Sequence, residues 1–153
     1  MGTREFDVIL WGASGFTGAL VAEYLFEEYA VGKGLKWALA GRNIPKLERT
    51  RSTLAPGNDA DNLPILIADS FDLTSLRQLA ERTRVICSTV GPYALYGSKL
   101  VTACASAGTH YCDLTGEVHW IRQMIDAEHA NALHTGARIV HACGFDSIPS
   151  DLG

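Results

Sequence analysis

No apolar run in this sequence approaches the roughly 18 residues that a membrane-spanning helix needs. Nor is there an excess of basic charge, since 13 Lys and Arg face 17 Asp and Glu for a formal net charge of −4. The basic residues are scattered, so the electrostatic footprint of a nucleic-acid binder is missing. The opening stretch Met1-Gly2-Thr3-Arg4-Glu5 passes straight into a strand-like run and leaves no room for a secretory signal. Phe6 stands where a myristoylation signal requires Ser or Thr. A cytosolic protein, free or peripheral to a membrane, is the expectation. The 153 residues are 47% hydrophobic and 20% charged, enough for one domain with a real core.

Cysteine is scarce and carries no C-x-x-C pair. In a reducing compartment Cys87, Cys104, Cys112 and Cys143 are expected to pack as small hydrophobes. His110-Tyr111-Cys112 and His141-Ala142-Cys143 both read H-x-C, which on strands puts one His and one Cys on a shared face. Four such ligands could hold zinc. Metal ligands usually come from loops or knuckles, however, and both segments read as buried parallel strands, so packed core residues and no metal are expected.

What is present is an alternation of Val-, Ile- and Leu-rich runs with helical patterns, the signature of βαβ units. Strands are predicted at Phe6 to Trp11, Leu35 to Ala40, Pro64 to Asp69, Val85 to Val90, Tyr111 to Leu114 and Arg138 to Cys143. Between the first two lies a helix whose core face is read from Phe16, Leu20, Tyr24 and Leu25 and which fades at Gly32-Lys33-Gly34. Residues 43–62, with Pro45, Pro56, Gly57 and the cluster from Asn58 to Asn62, predict at best a short helix and a loop. Asp72 is placed to cap a helix with Leu73, Leu76, Leu79 and Ala80 on its apolar face. Gly91-Pro92 breaks the fourth strand, and Gly108 and Gly136 close the two later helices. The expected fold is α/β: a doubly wound, Rossmann-type parallel sheet of about six strands with helices on both faces. Pro149-Ser150-Asp151 reads as the start of another helix, capped by Ser150 or Asp151. The whole of 1–153 is therefore expected to be the first domain of something longer, with a substrate domain after 153.

The string Gly12-Ala13-Ser14-Gly15-Phe16-Thr17-Gly18 sits between a predicted strand and a predicted helix. Glycines let a backbone turn tightly and approach a pyrophosphate, and a following helix aims free N–H groups at it. A plain strand-turn-helix link is the alternative; the flanking elements favour the dinucleotide. The spacing is G-x-x-G-x-x-G, so the turn should differ from the commoner G-x-G-x-x-G form.

Ligands of a doubly wound sheet lie across the carboxyl ends of its strands. After the second strand an NAD site places Asp or Glu on the ribose 2′-hydroxyl, but this chain offers Ala40-Gly41-Arg42-Asn43. Arg42 presents a guanidinium fork to a 2′-phosphate, with Lys46 one turn on, so NADP(H) is favoured; the alternative is an ordinary surface arginine. Asp69 could reach the adenine edge or simply make a turn. Val90, Gly91 and Pro92 could let backbone approach the pyrophosphate or, again, just turn. With hydride chemistry left to the cofactor, the protein needs one proton donor at most. Tyr93, Tyr96, Asp113, Glu117 and Asp146 are the candidates nearest the crevice. The formal Tyr-x-x-x-Lys pair at Tyr29 and Lys33 falls at the wrong end of its helix for short-chain dehydrogenase chemistry.

Five strings together resemble the saccharopine dehydrogenase-like oxidoreductases. They are Gly12 to Gly18, Ala40-Gly41-Arg42, Val90-Gly91-Pro92-Tyr93, Asp113-Leu114-Thr115-Gly116-Glu117 and Gly144-Phe145-Asp146-Ser147-Ile148-Pro149. Within that family the chain is most similar to the N-terminal domain of trans-acting enoyl reductases. The resemblance implies an NADPH-dependent reductase with the pyrophosphate on Gly12, Ser14, Gly15, Phe16, Thr17 and Gly18 and the 2′-phosphate on Arg42. It also implies a small-molecule or carrier-bound acyl substrate, a polyketide synthase served in trans, and a second region that shapes the substrate site. A non-catalytic NADP(H)-binding domain, acting as sensor or partner-binding module, is the alternative, and a homo-oligomer is compatible with either.

Overall fold

The computed structural model describes residues 3–54 and 60–152. Six parallel strands form one sheet in the order β3-β2-β1-β4-β5-β6. They are β1 (Phe6–Trp11), β2 (Trp37–Gly41), β3 (Ile65–Ile67), β4 (Thr83–Ser88), β5 (His110–Asp113) and β6 (Ile139–Val140). The helices are α1 (Phe16–Tyr29), α2 (Ile44–Leu54), α3 (Leu73–Glu81), α4 (Tyr93–Tyr96), α5 (Ser98–Ala107), α6 (Val118–Thr135) and α7 (Ile148–Leu152). The expected doubly wound α/β architecture is therefore present, with its switch point between β1 and β4.

Period-two alternation divides the core between the two faces of the sheet. Leu10, Trp37 and Leu39 point to the face where α1 and α2 supply Ala22 and Leu47. Ile9, Trp11, Ala38, Ala40, Ile86 and Tyr111 point to the other, against Leu76, Leu79, Leu100, Val101 and Trp120 of α3, α5 and α6. Asp72 caps α3 as predicted, accepting from the N–H groups of Thr74 and Ser75.

The face of α1 differs from the expectation. Gly18 and Ala22 are its buried residues and Val21, Leu25 and Phe26 flank them, whereas Phe16, Leu20 and Tyr24 are exposed. The helix lies so close to the first turn that its contact row must be small; large apolar side chains are carried sideways. Residues 44–54 form a full three-turn helix where only a short one was expected, buried through Leu47 and Thr50. Pro56, Gly57, Asn58 and Asp59 of the predicted loop lie outside the described residues.

Strand β6 is two residues long rather than six. After Val140 the Ala142 N–H turns to the Asp113 side chain at 3.0 Å and Ala142 adopts φ 59°, which ends regular pairing. Cys143 is consequently exposed rather than packed. Ser150 and Asp151 lie inside α7, which begins at Ile148, and cap nothing. Among the described residues no helix is long and apolar enough to cross a membrane.

Candidate functional site: the cleft at the carboxyl ends of the strands

The turn after β1 is built by three glycines with three different duties. Gly12 has φ 88°, a left-handed conformation, and a Cβ on it would lie 2.5 Å from Val90 Cγ2. Gly18 lies directly against the Gly12 carbonyl and the Ala13 backbone, where no side chain fits. Gly15 meets nothing nearer than the Gly12 oxygen at 3.4 Å, so its face of the turn is open. The Gly12 and Ala13 N–H groups both donate to the Ala40 carbonyl, at 2.9 and 3.3 Å, which ties the turn to the end of β2. The first N–H groups of a helix have no intrahelical acceptor, and Gly15 brings no side-chain cap to those of α1.

A cleft of about 450 Å³ opens over this turn. It is lined by Gly12, Ser14 and Gly15 of the turn, by Arg42 and Lys46 after β2, and by Val90 and Gly91 after β4. These are six of the cofactor residues expected from sequence together with Lys46. Asn43 starts α2, accepting the Lys46 N–H on its side chain at 3.0 Å and the Leu47 N–H on its carbonyl at 3.1 Å. That holds Arg42 and Lys46 on the same rim, and neither forms an ion pair among the described residues. Two cations so placed make a site for a dianionic group.

The remaining expected residues do not line the cleft. Phe16 projects into solvent, Gly18 is buried in helix packing, and Thr17 faces a separate cavity. Asp69 accepts the Phe71 N–H at 2.8 Å and so makes a turn, leaving its neighbour Ser70 on the cleft wall. Pro92 precedes α4 and is not part of the cleft lining. Ser70, which the sequence reading did not single out, also lines the cleft; its position just after β3, at a carboxyl end, was the available signal.

Of the five proton-donor candidates, three are committed to internal bonds. Tyr93 is buried, its hydroxyl donates to the Ser88 carbonyl at 3.1 Å, and burial pushes its pKa up to about 12. Glu117 accepts the N–H groups of Tyr93 and Ala94 at 2.6 and 2.9 Å and thereby caps α4. Asp113 has a fully buried carboxylate that accepts from Thr115 N–H at 3.1 Å and Ala142 N–H at 3.0 Å and pairs with His141 Nδ1 at 2.7 Å. The Thr115 hydroxyl oxygen in turn accepts the Glu117 N–H at 3.1 Å. The string from Asp113 to Glu117 is thus a self-bonded loop that pins β5 to β6 and to α4. Tyr96 lines the cleft and meets Phe71 edge to face at 5.5 Å; Asp146 is exposed outside it. His110, from the first H-x-C pair, accepts the Arg138 N–H at 3.1 Å and His141 pairs with Asp113, so neither histidine lines the cavity that Cys112 and Cys143 share.

The family model for the saccharopine dehydrogenase NADP-binding domain matches residues 8–140. The chain belongs to the saccharopine dehydrogenase NADP-binding domain family. Its cofactor class is accordingly NADP(H), in keeping with the basic rim of the cleft. A trans-acting enoyl reductase of Mycobacterium tuberculosis is 50% identical over 149 residues, covering 97% of this chain and 34% of that protein. One from Mycobacterium leprae is 48% identical over the same share of each. The chain thus spans about a third of the length of these curated relatives. Among solved structures, the saccharopine dehydrogenase (L-Glu forming) of Saccharomyces cerevisiae superposes with a TM-score of 0.71 at 17% identity, over 93% of this chain and 28% of that one. At that identity the likeness is one of fold.

Proposed function

We propose that this chain is the cofactor-holding part of an NADPH-dependent enoyl reductase. In this reading the pyrophosphate lies over Gly12, Ser14 and Gly15, and Arg42 with Lys46 holds the 2′-phosphate. Val90 and Gly91 flank the chain of the cofactor toward the nicotinamide ribose. Bound NADPH supplies a hydride to a carbon–carbon double bond; the protein orients it and excludes water. The observation that carries the cofactor half is one continuous cleft joining an open glycine turn to two cations that have no ion-pair partner among the described residues. The enoyl half is supported by the curated relatives, whose shared name also suggests an acyl substrate presented by a synthase in trans. Cytosolic location, peripheral to a membrane, and a substrate region outside residues 1–153 belong to the same reading.

A second reading is supported by a specific observation: Tyr93, Asp113 and Glu117 all spend their polar atoms internally. Of the five proton-donor candidates only Tyr96 lines the cleft, and a chain so arranged can bind NADPH without turning over, as a cofactor-binding module. Titrating the purified chain with NADPH and NADH tests the shared step. Loss of a charge-assisted contact of about 1.5–3 kcal/mol corresponds to about 10–100-fold in affinity. We expect NADPH to bind tighter than NADH by that factor and Arg42→Asp to remove the preference. Equal binding of the two by the unmodified chain refutes the role of the basic rim. Single-turnover assay with a short enoyl thioester, run on a protein that carries the substrate region as well as this chain, then separates the readings.

A further inference from the structure

Three thiols from neighbouring segments share one cavity on the α1 side of the sheet. Cys87 on β4 and Cys112 on β5 are in register, and Cys143 follows β6. A cavity of about 310 Å³ opens onto all three, with Thr17 and Val21 of α1 across from them. In-register neighbours in a sheet stand about 4.8 Å apart, inside the roughly 4.4–6.8 Å over which a disulfide joins two Cα atoms. The closeness of the two thiols holds the Cys87 pKa below the ordinary thiol value and Cys112 above it. Cys104 is a different case, fully buried in the core on the opposite face and pushed up by burial. Thr89, two residues beyond Cys87, lines both this cavity and the dinucleotide cleft.

We propose that Cys87 and Cys112 form a peroxide-sensitive disulfide site whose oxidation weakens dinucleotide binding in the adjoining cleft. The second half rests on the cofactor reading given above. The Cys87 thiolate attacks one oxygen of hydrogen peroxide: an S–O bond forms, the O–O bond breaks, and hydroxide leaves, taking up the proton Cys87 lost to become water. The Cys112 sulfur then attacks the Cys87 sulfenic sulfur. An S–S bond forms, the S–O bond breaks, and the hydroxyl departs with the Cys112 proton as a second water. Two thiols are oxidised and one peroxide is reduced to two waters. A disulfide most often spans about 5.5–6 Å between Cα atoms, wider than the strand spacing, so closing it spreads the carboxyl ends of β4 and β5, and the residues just after β4, Thr89 and Val90, line the cleft. The exposed Cys143 is a bystander at the mouth of the cavity.

The test treats the purified chain with hydrogen peroxide and reads free thiols, intact mass, peptide linkage and NADPH affinity before and after reduction. Two of the four thiols should disappear with the loss of two hydrogens in mass, a linked peptide should join Cys87 to Cys112, and a dithiol should reverse both. Cys87→Ser and Cys112→Ser should each abolish the link, while Cys143→Ser should leave it intact. The oxidised chain should bind NADPH about tenfold more weakly. A link that involves Cys143, or oxidation with no link, overturns the site. A Cys87–Cys112 link with unchanged NADPH affinity overturns the coupling. A reduced chain that binds no NADPH refutes the cofactor reading instead, and the linkage result still decides the thiol site.

Discussion

The two halves of the sheet spend their hydrogen-bonding capacity in opposite ways. Around β1 and β2 the turn glycines leave backbone open to the cleft, the start of α1 has no side-chain cap, and Arg42 and Lys46 stand on an open rim. Around β4, β5 and β6 the polar residues are consumed: Glu117 on two backbone N–H groups, Asp113 on three donors, Tyr93 on a carbonyl. Both halves carry motif strings, yet only the first keeps polar atoms in reserve for a ligand. The difference teaches that a motif residue at a strand end is a binding candidate only if its neighbours have not already satisfied it.

Breaking the first half should show the sharpest contrast. An alanine at Gly18 puts a methyl into the Gly12 carbonyl and the Ala13 backbone, neither of which can swing away. Gly18→Ala is expected to cost on the order of 5 kcal/mol, enough to unfold a marginal domain. Gly15→Ala, three residues earlier, meets only the Gly12 oxygen at 3.4 Å and should cost within about 1 kcal/mol. It should nonetheless weaken NADPH binding, because its methyl stands on backbone open to the cleft. Urea unfolding beside NADPH titration measures both; if Gly15→Ala binds NADPH as the unmodified chain does, the turn is not where the pyrophosphate rests.

The second half is probed through its most heavily bonded side chain. Asp113→Ala strands the Thr115 and Ala142 N–H groups and the His141 ring nitrogen, all against a carboxylate that is fully buried. Leaving one such group unsatisfied costs about 1–3 kcal/mol, so a loss of about 3 kcal/mol or more is expected in urea unfolding. NADPH affinity of the folded fraction should stay within about threefold, less than the change expected at Arg42. A variant that stays stable but loses NADPH would reverse the comparison and make Asp113 a cofactor residue.

Much of this arrangement was legible in the sequence, for identifiable reasons. Strand positions, the Asp72 cap and the glycine turn follow from local signals: Val-, Ile- and Leu-rich runs, an Asx side chain before a helical pattern, and glycines between a strand and a helix. Arg42 was legible because the position after β2 admits few roles. The burial of α1 was not, since the deciding contact is Gly18 against the turn, and smallness leaves no trace in a hydrophobic pattern. Nor were the duties of Tyr93, Asp113 and Glu117. Tyr93 and Asp113 do lie at or just after the carboxyl ends of β4 and β5, but whether a carboxylate there faces ligand or backbone depends on pairings such as Asp113 with Ala142, 29 residues apart. Early termination of β6 has the same origin, a side chain intercepting a backbone N–H that the ladder would otherwise use.

The mildest probe of the second half is Tyr93→Phe, which removes one hydroxyl and keeps the ring packed on Trp120 at 5.5 Å. Losing the bond to the Ser88 carbonyl should cost about 1 kcal/mol at neutral pH. The pH dependence gives the sign of the assignment. Tyr93 holds its proton more tightly folded than unfolded, its pKa rising from 10.0 to about 12 because burial disfavours the phenolate. Its contribution is therefore fully present below pH 10 and is lost as pH climbs through about 12. Stability measured by urea midpoint from pH 8 upward should fall less steeply in Tyr93→Phe than in the unmodified chain across that window. Identical slopes would mean that the hydroxyl is solvated rather than bonded to Ser88, and Tyr93 would return to the list of groups free to serve the cleft.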